Sequence, residues 1–491
     1  MCPCESLIPL VDPRTDSTQS EEAQLGQVDA SLRGPVLFFV AKALGWLVLG
    51  SLFALVAAIK LVNREFLAGH EFLTYGRVFA AAVDALIYGW GCQAAFAVAL
   101  WLMARLCRVQ VKHLGLLYVA GVFWNVGLLW GVAAIFLGDL TSVPLLELPG
   151  HVLPVLLASY VLIATWGVLC FRYRQTTPVY VSQWYLLAAL FMFPWMLFTA
   201  MMGVFYAPGR GVVQSIVDAW YVGGMLWLFF VPVALAVIYY LLPKILGRPL
   251  FVYYLATVGF WTLLAFGGWT GTHFLVYGPI PVWMQAVGLV GNTVLIVPII
   301  VAAFNHHVTA FGAAATVWQS PVLRFTMYSA LALTFAGFMN LLTSTHAAAL
   351  TISMTAFNVG TVLHLFYAVF SMAVFAALYY LLPRICGREW PSAILIKAHF
   401  WAAALGGGIL VLALYYFGWR QGEQINNPEV DFLGIVKEGA LNQTSVAALA
   451  LLAIGHLVFL VNFFWLVASA AWDCAKSCLM SGLAMVKGGG R

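Results

Sequence analysis

The chain consists of long apolar runs, most of them at least twenty residues, separated by short polar connections. A helix of about 20 apolar residues crosses the roughly 30 Å hydrocarbon core of a bilayer and pairs its own backbone polar groups there. The pattern therefore predicts twelve membrane helices, which we number as spans 1 to 12: 36–61, 76–104, 113–137, 150–172, 180–205, 217–243, 250–274, 282–310, 322–343, 350–383, 392–418 and 445–472.

Composition agrees with an all-α membrane protein. The 491 residues are 63% hydrophobic and 8% charged, whereas a soluble domain carries about a quarter charged residues. Residues 1–34 are polar and lack the apolar core of a signal peptide, so they are predicted to form a cytoplasmic tail. The membrane domain is predicted at 35–472, with a second cytoplasmic tail at 473–491. Span 10 is long and is predicted to begin outside the bilayer.

The positive charges predict the orientation of the bundle. Most of the 23 Lys and Arg residues lie on the side of the two termini, and cytoplasmic loops are the ones enriched in these residues. Both termini are therefore expected on the cytoplasmic side of a bacterial inner membrane. Membrane topology explains the net charge of +5, so no nucleic-acid partner is needed.

One segment recurs within the chain. YYLLPKILGR (239–248) returns as YYLLPRICGR (379–388), each time at the predicted end of a span. The proline is expected to stop each helix, and the basic residues that follow suit lipid headgroups. The recurrence indicates an internal structural repeat, with convergent helix ends as the alternative.

Several strings in a shared order resemble one known family. They include TYGRVFAAAVDALIYGWGCQAAF (74–96), VPLLELPGHVLP (143–154), VDAWYVGGMLWLFFVPVALAVIYYLLPKILGR (217–248) and FWTLLAFGGWTGTHFLVYGPIPVW (260–283). Over roughly 35–472 the chain resembles subunit I of the haem–copper oxidases, most closely the catalytic subunit of the cbb type. The resemblance implies a twelve-helix bundle that holds a low-spin haem, a high-spin haem and copper through six histidines.

Most of these ligand positions hold other residues. By spacing, the span 2 ligand of the low-spin haem corresponds to Ala82, and the first copper ligand corresponds to Gly223. In span 7 the family's adjacent histidine pair is His273-Phe274, so His273 is the lone remnant of the copper site. One imidazole does not form a three-histidine copper site, and the family's copper is not expected here.

Span 10 admits two alignments of the family's last histidine pair. Counting back from Pro383 places the pair at Thr361 and Leu363, whereas aligning on Ser371-Met372 places it at His364 and Phe366. The second alignment makes His364 a candidate axial ligand of a haem b; the alternative is a histidine hydrogen-bonded within the bundle. Aromatic side chains such as Phe274 and Phe366 are expected to fill space left by absent cofactors, because protein interiors are densely packed.

Polar residues inside spans are costly and often functional. Asp84 in span 2 is a candidate for proton handling, while Asp218 lies near the start of span 6 and can instead cap its helix. Glu147 marks the acidic loop before span 4 that the resemblance includes. His399 in span 11 is interpreted as structural.

A second polar set is Asn305-His306-His307 in span 8. Adjacent residues on a helix point about 100° apart, so the two histidines do not face one metal together. A new metal site would pair His306 or His307 with His273 or His346; the alternatives are hydrogen-bonded packing or a place near the interface. A polar pathway through Asp84, His306 and His307 is a further hypothesis.

These features predict a degenerate oxidase subunit I-like membrane subunit of a respiratory electron-transfer complex, without oxygen-reducing activity. Its expected partners are membrane and cytochrome c-like subunits. Its expected roles are to anchor these subunits, to bind lipid or quinone, or to conduct protons. Few or none of the family's cofactors are expected. One alternative is an active oxygen or nitric oxide reductase with rearranged haem ligands, and another is a channel or transporter that reuses the scaffold.

Overall fold

The computed structural model describes residues 17–276, 278–437 and 443–488, and in this part of the chain the regular elements are all helical. Eleven helices are long and apolar enough to cross a membrane. They are spans 1 to 6 and 8 to 12, which run over Glu21–Val62, Tyr75–Cys107, Leu114–Leu137, Leu153–Arg172, Val181–Tyr206, Val212–Leu246, Val282–Ala310, Pro321–Thr343, Ala356–Cys386, Ala393–Ile425 and Gln443–Ser477.

Span 7 differs from the others in its helix type. An α-helix covers Tyr253–Phe266, and a 3₁₀ helix continues it over Gly267–Leu275. With span 7 counted, the predicted all-α bundle of twelve spans is confirmed. The change to a 3₁₀ helix falls in GGWTGTHFL, where glycines allow the backbone to approach its neighbours closely.

Several predicted boundaries require correction. The first helix begins at Ser17, so the predicted polar tail is helical over its second half. The last helix runs to Gly488, well past the predicted end of span 12. Span 10 begins at Ala356 rather than 350, because a separate short helix, His346–Ile352, precedes it.

The two copies of the repeated segment end their spans in the same way. Each helix continues through its proline, Pro243 or Pro383, for about one more turn, so the prediction that proline ends the helix is wrong. Termination comes instead at Gly247 and Gly387, which have φ of 62° and 67°. Glycine tolerates this left-handed conformation. In both copies the following arginine amide bonds to the proline carbonyl.

Spans 2, 6 and 10 form the centre of the bundle. The most apolar window of each is 89%, 94% and 100% buried, whereas the other long spans reach at most 61%. Together with span 7, these are the spans in which the family resemblance locates haem and copper ligands.

Candidate functional site

Each of the three central spans contains a widened, π-helical stretch at mid-helix. These stretches are Ala85–Cys92, Met225–Phe230 and His364–Ser371. π-Helical turns are rare and often occur at functional sites. They begin shortly after Ala82 and Gly223 and at His364, so the backbone distortion lies at or beside three of the positions aligned with the family's ligands.

At Gly223 the backbones of spans 6 and 7 are in direct contact. A Cβ atom on Gly223 would lie 2.7 Å from the amide nitrogen of Gly271 and 2.8 Å from its Cα. A Cβ on Gly271 would in turn overlap the carbonyl group of Ala219. No side chain fits between these backbones, so the residues do not fit the family's copper site. We call this contact the glycine contact.

His273 faces its own helix. It is 7% exposed, and its Nδ1 hydrogen-bonds to the carbonyl of Thr270 one turn earlier. The ring lies against Phe274, with centroids 3.9 Å apart. The predicted remnant of the copper site is therefore engaged in the 3₁₀ turn.

His364 uses both ring nitrogens within the bundle. Nε2 donates to the carbonyl oxygen of Ala332 at 2.9 Å, and Nδ1 accepts from the hydroxyl of Tyr415 at 2.9 Å. An iron ligand would need one of these nitrogens free. The geometry matches a histidine hydrogen-bonded between spans and does not fit the predicted haem ligand.

Aromatic rings fill the space between spans 2, 6 and 10. Phe230 lies 5.0 Å from Phe366 and 4.7 Å from Phe370 between ring centroids, and Phe366 stacks on Phe370 at 5.7 Å. Span 2 leaves room for them at Gly91, where a Cβ would lie 2.8 Å from the Phe366 ring. The expectation that Phe366 packs into this region agrees with this arrangement.

Beside Ala82 the bundle instead encloses a cavity of about 550 Å³. This volume lies within the range of small-molecule sites. Its walls are mainly apolar and come from spans 1, 2, 6, 7, 10, 11 and 12 and from the segment before span 4. We call it the Ala82 cavity. Among its lining residues are Ala82, Phe274, Phe366, Glu147, Asp218 and Asn358.

Asp84 and Glu147 form a buried carboxyl pair behind one wall of this cavity. Asp84 is fully buried, and its carboxyl interacts electrostatically with that of Glu147. Neither oxygen of Asp84, nor Oε2 of Glu147, receives a hydrogen bond from a donor elsewhere in the described chain. Glu147 lies between spans 3 and 4, where burial raises the pKa of its carboxyl above the ordinary value.

The segment that carries Glu147 is held by local contacts. Leu145 has φ of 63°, a conformation that leucine rarely adopts outside strained sites. The Thr141 amide donates to the Glu147 carbonyl at 2.9 Å.

Two tyrosines lie next to the carboxyl pair. The hydroxyls of Tyr88 and Tyr221 are 2.5 Å apart, and Tyr88 donates to the carbonyl of Leu145 at 2.8 Å. Sequence reasoning missed both this contact and the pairing of Asp84 with Glu147. The spacing of Asp84 and Tyr88, one helical turn apart, was the available signal.

The span 8 histidines lie far from the Ala82 cavity. His306 is fully buried and packs edge-on against Tyr239, with centroids 4.5 Å apart. His307 hydrogen-bonds to Thr334 at 2.9 Å. His273, in span 7, lies beside the first turns of span 8, near Gly288. His306 lies 24 residues after the start of span 8 at Val282, which is about 35 Å along a helix.

The proposed histidine pairings are therefore not brought together. His346 is exposed on its short helix, and His306 lies at the other end of span 8 from His273. In the described residues, no three His, Cys, Asp or Glu side chains are grouped as metal ligands. A continuous pathway from Asp84 to His306 and His307 stays a prediction.

His399 occupies a packed position in span 11. Its Nδ1 bonds to the hydroxyl of Tyr379 at 2.9 Å, and its ring stacks on Phe459 at 4.7 Å. These contacts agree with its interpretation as structural.

Comparison with known proteins agrees with this fold. Residues 34–458 match the model of the family described as cytochrome c and quinol oxidase polypeptide I. The chain is 28% identical to the cbb3-type cytochrome c oxidase subunit CcoN1 of Stutzerimonas stutzeri over 364 residues, covering 71% of this chain and 75% of the relative. It is 27% identical to cytochrome c oxidase subunit 1 of Rhodobacter capsulatus, covering 77% and 73%.

A solved structure shows the same architecture. The chain superposes on a haem–copper terminal oxidase dimer studied by cryo-electron microscopy with a TM-score of 0.67 at 12% identity, covering 89% of this chain and 84% of the other. At that identity the likeness supports the fold alone. Because the family match spans most of the chain, this multi-pass membrane protein belongs to the haem–copper oxidase subunit I family.

Proposed function

We propose that this protein is a membrane subunit of a respiratory electron-transfer complex that does not itself reduce oxygen. The glycine contact carries this proposal, because it leaves no space for a copper ligand at Gly223. The hydrogen-bonded ring of His364 and the methyl group of Ala82 support the same conclusion for haem. The chain thus keeps the family's frame with few or none of its cofactors.

The proposed partners are membrane and cytochrome c-like subunits. A relative at 28% identity is named a subunit of a cbb3-type cytochrome c oxidase, and such a bundle can anchor other subunits without redox chemistry of its own. We propose that both termini lie on the cytoplasmic side of the bacterial inner membrane, on the basis of the Lys and Arg distribution.

The Ala82 cavity supports a binding role within that complex. Its apolar walls and volume of about 550 Å³ suit the ring or tail of a lipid or a quinone. Anchoring, binding of such a molecule and proton conduction are compatible roles for one subunit.

An optical spectrum with metal analysis tests the proposal directly. The purified chain is reduced and oxidised, and its difference spectrum is recorded together with its iron and copper content and its oxygen consumption. We expect no haem b bands, no stoichiometric copper and no oxygen consumption. Haem bands with turnover would establish the rival function, an oxygen or nitric oxide reductase with rearranged ligands.

The association with partners needs a separate experiment. The chain is tagged at its C-terminus, extracted from its own membranes in mild detergent and sized by native mass measurement. We expect a complex that contains at least one haem c protein, visible by in-gel haem staining. Recovery as a lone monomer from freshly solubilised membranes would contradict the proposal.

A second candidate function is a channel or transporter, which the carboxyl pair beside the cavity favours. Buried ionisable groups beside a cavity are typical of ion and proton pathways. This candidate predicts that Asp84→Ala abolishes transport by the chain reconstituted in vesicles. Unchanged transport in that variant would argue against it.

A further inference from the structure

The carboxyl pair is the least satisfied polar contact at the Ala82 cavity. Three of its four oxygens, both of Asp84 and Oε2 of Glu147, are buried without a donor from elsewhere in the described chain. Burying an unpaired carboxylate is very costly, and two adjacent ones cost still more. A proton between the two carboxyls removes the repulsion and supplies the missing hydrogen bond.

We propose that Asp84 and Glu147 form a proton-binding site whose single shared proton exchanges through the Ala82 cavity. The pair then holds one proton and one negative charge, spread over two carboxyls. Protonation moves a proton from water in the cavity to a carboxylate oxygen, and release returns it. The inference rests on the proposed function, because a haem in the cavity would occupy the exchange route.

The surroundings favour a proton over a bound cation. Among the described residues, no three acidic, histidine or cysteine side chains are grouped so that they could hold a metal ion. A metal cation would also need more oxygen ligands than this pair offers, since calcium takes six to eight and magnesium six. Two interacting buried carboxyls are an arrangement that a shared proton stabilises.

The titratable groups that face the pair are tyrosines. Tyr88 comes from the same span and Tyr221 from span 6, and Cys92 lies beyond them. Tyr88 donates to Leu145 and Tyr221 to Tyr88, so neither hydroxyl is aimed at a carboxyl oxygen. The described chain places no basic side chain in an ion pair with either acid.

Glu147 connects the pair with the cavity. Its side chain lines the cavity, as does Asp218 from the start of span 6, whereas Asp84 lies behind the wall. The cavity also includes Tyr75 and Val359, which are 37% and 42% exposed. The proposal requires that water reach Glu147 at this end of the bundle, where spans 2, 6 and 10 begin.

Infrared spectroscopy of the purified full chain tests the proposal. Spectra at stepped pH, in water and in D₂O, are subtracted to isolate the carbonyl stretch of protonated carboxyls. We expect one band that shifts in D₂O and disappears as the pH rises. Asp84→Asn and Glu147→Gln should each remove the whole band, whereas Asp139→Asn, a matched control at a carboxyl that is 64% exposed, should leave it.

Three results would overturn the proposal. The band could survive in both variants, in which case other groups carry the proton. It could stay constant from about pH 4 to pH 10, which would mean that the pair is permanently neutral. It could appear only when sodium is withheld, which would mean that a cation occupies the pair. If one of the two variants fails to fold, the other variant, measured beside Asp139→Asn, still assigns the band.

The pH dependence of stability is an independent readout. Burial raises the pKa of Glu147 from its ordinary value of 4.5 to about 8. At a pH between these two values, the folded chain holds a proton that the unfolded chain releases. The stability from this group is full at low pH and is lost as the pH rises above 4.5. Glu147→Gln should flatten that decline. The visible spectrum of the same sample reports separately on haem. Haem bands would contradict the proposed function, whereas an unchanged decline in Glu147→Gln would contradict the proton site.

Discussion

The glycine contact and the Ala82 cavity lie at two positions that the family resemblance aligns with metal ligands, and their packing is opposite. At Gly223 two backbones are in direct contact. At Ala82 a similarly small residue borders about 550 Å³ of space. A small residue at an aligned ligand position therefore does not by itself determine whether the neighbouring space is closed.

The difference follows from what surrounds each position. Span 7 contributes glycines and a 3₁₀ helix at Gly223, so its backbone can move in against span 6. Around Ala82 seven spans and one connecting segment meet. A carboxyl pair at the edge of that space also resists closure, because its burial in a dry core would be costly.

The largest expected effect comes from restoring a histidine at the glycine contact. Gly223→His places a side chain where even a Cβ lies 2.7 Å from backbone, so spans 6 and 7 must separate. We expect a loss of more than about 3 kcal/mol, at the severe end of overpacking, seen as little folded protein in a detergent thermal-unfolding assay. Gly45→Ala, at a span 1 glycine with open space around it, should be tolerated; a stable Gly223→His would show that the contact opens readily.

The aromatic filling should be nearly as sensitive. Phe230→Ala removes a fully buried ring that touches both Phe366 and Phe370. It leaves a cavity that the neighbouring side chains cannot fill. We expect a loss of about 3–5 kcal/mol, measured as a lower unfolding midpoint. The control Phe338→Ala removes a ring that is 61% exposed. Equal effects of the two changes would mean that the rings do not stabilise the closed region.

An intermediate effect is expected at His364. His364→Ala leaves the Ala332 carbonyl and the Tyr415 hydroxyl without their partner, at a cost of about 1–3 kcal/mol for unsatisfied buried groups. Thermal unfolding measures the loss, with exposed His346→Ala as the control. If His364 bound haem, the same variant would instead remove an optical band from the wild-type spectrum.

The sequence was sufficient to predict the bundle because hydropathy and length determine which segments cross a bilayer. It did not reveal the π-helical stretches, since spans 2, 6 and 10 are apolar on nearly all sides and no periodicity marks a widened turn. The end of span 7 was also missed as a 3₁₀ helix. There the glycines of GGWTGTHFL permit several backbone forms, and contact with span 6 selects one.

The site was predictable only one residue at a time. Asp84 stood out as an acid inside an apolar run, and Glu147 as an acid in a loop. Their pairing is a contact across 63 residues of chain that depends on a strained turn at Leu145, which no local pattern encodes. His364 was proposed as a haem ligand, because spacing does not show what the ring nitrogens contact.

The smallest effect is expected where a histidine is restored beside the cavity. Ala82→His adds an imidazole to existing space, so the cost should be only that of placing a polar ring there, no more than about 1–2 kcal/mol. Ala82→Leu fills the same space without that cost and should be neutral or slightly stabilising. Unfolding midpoints of both variants, set beside Gly223→His, measure how far the two positions differ. If Ala82→His were as damaging as Gly223→His, the cavity would be closed in the folded protein, and the exchange route to Glu147 would be lost with it.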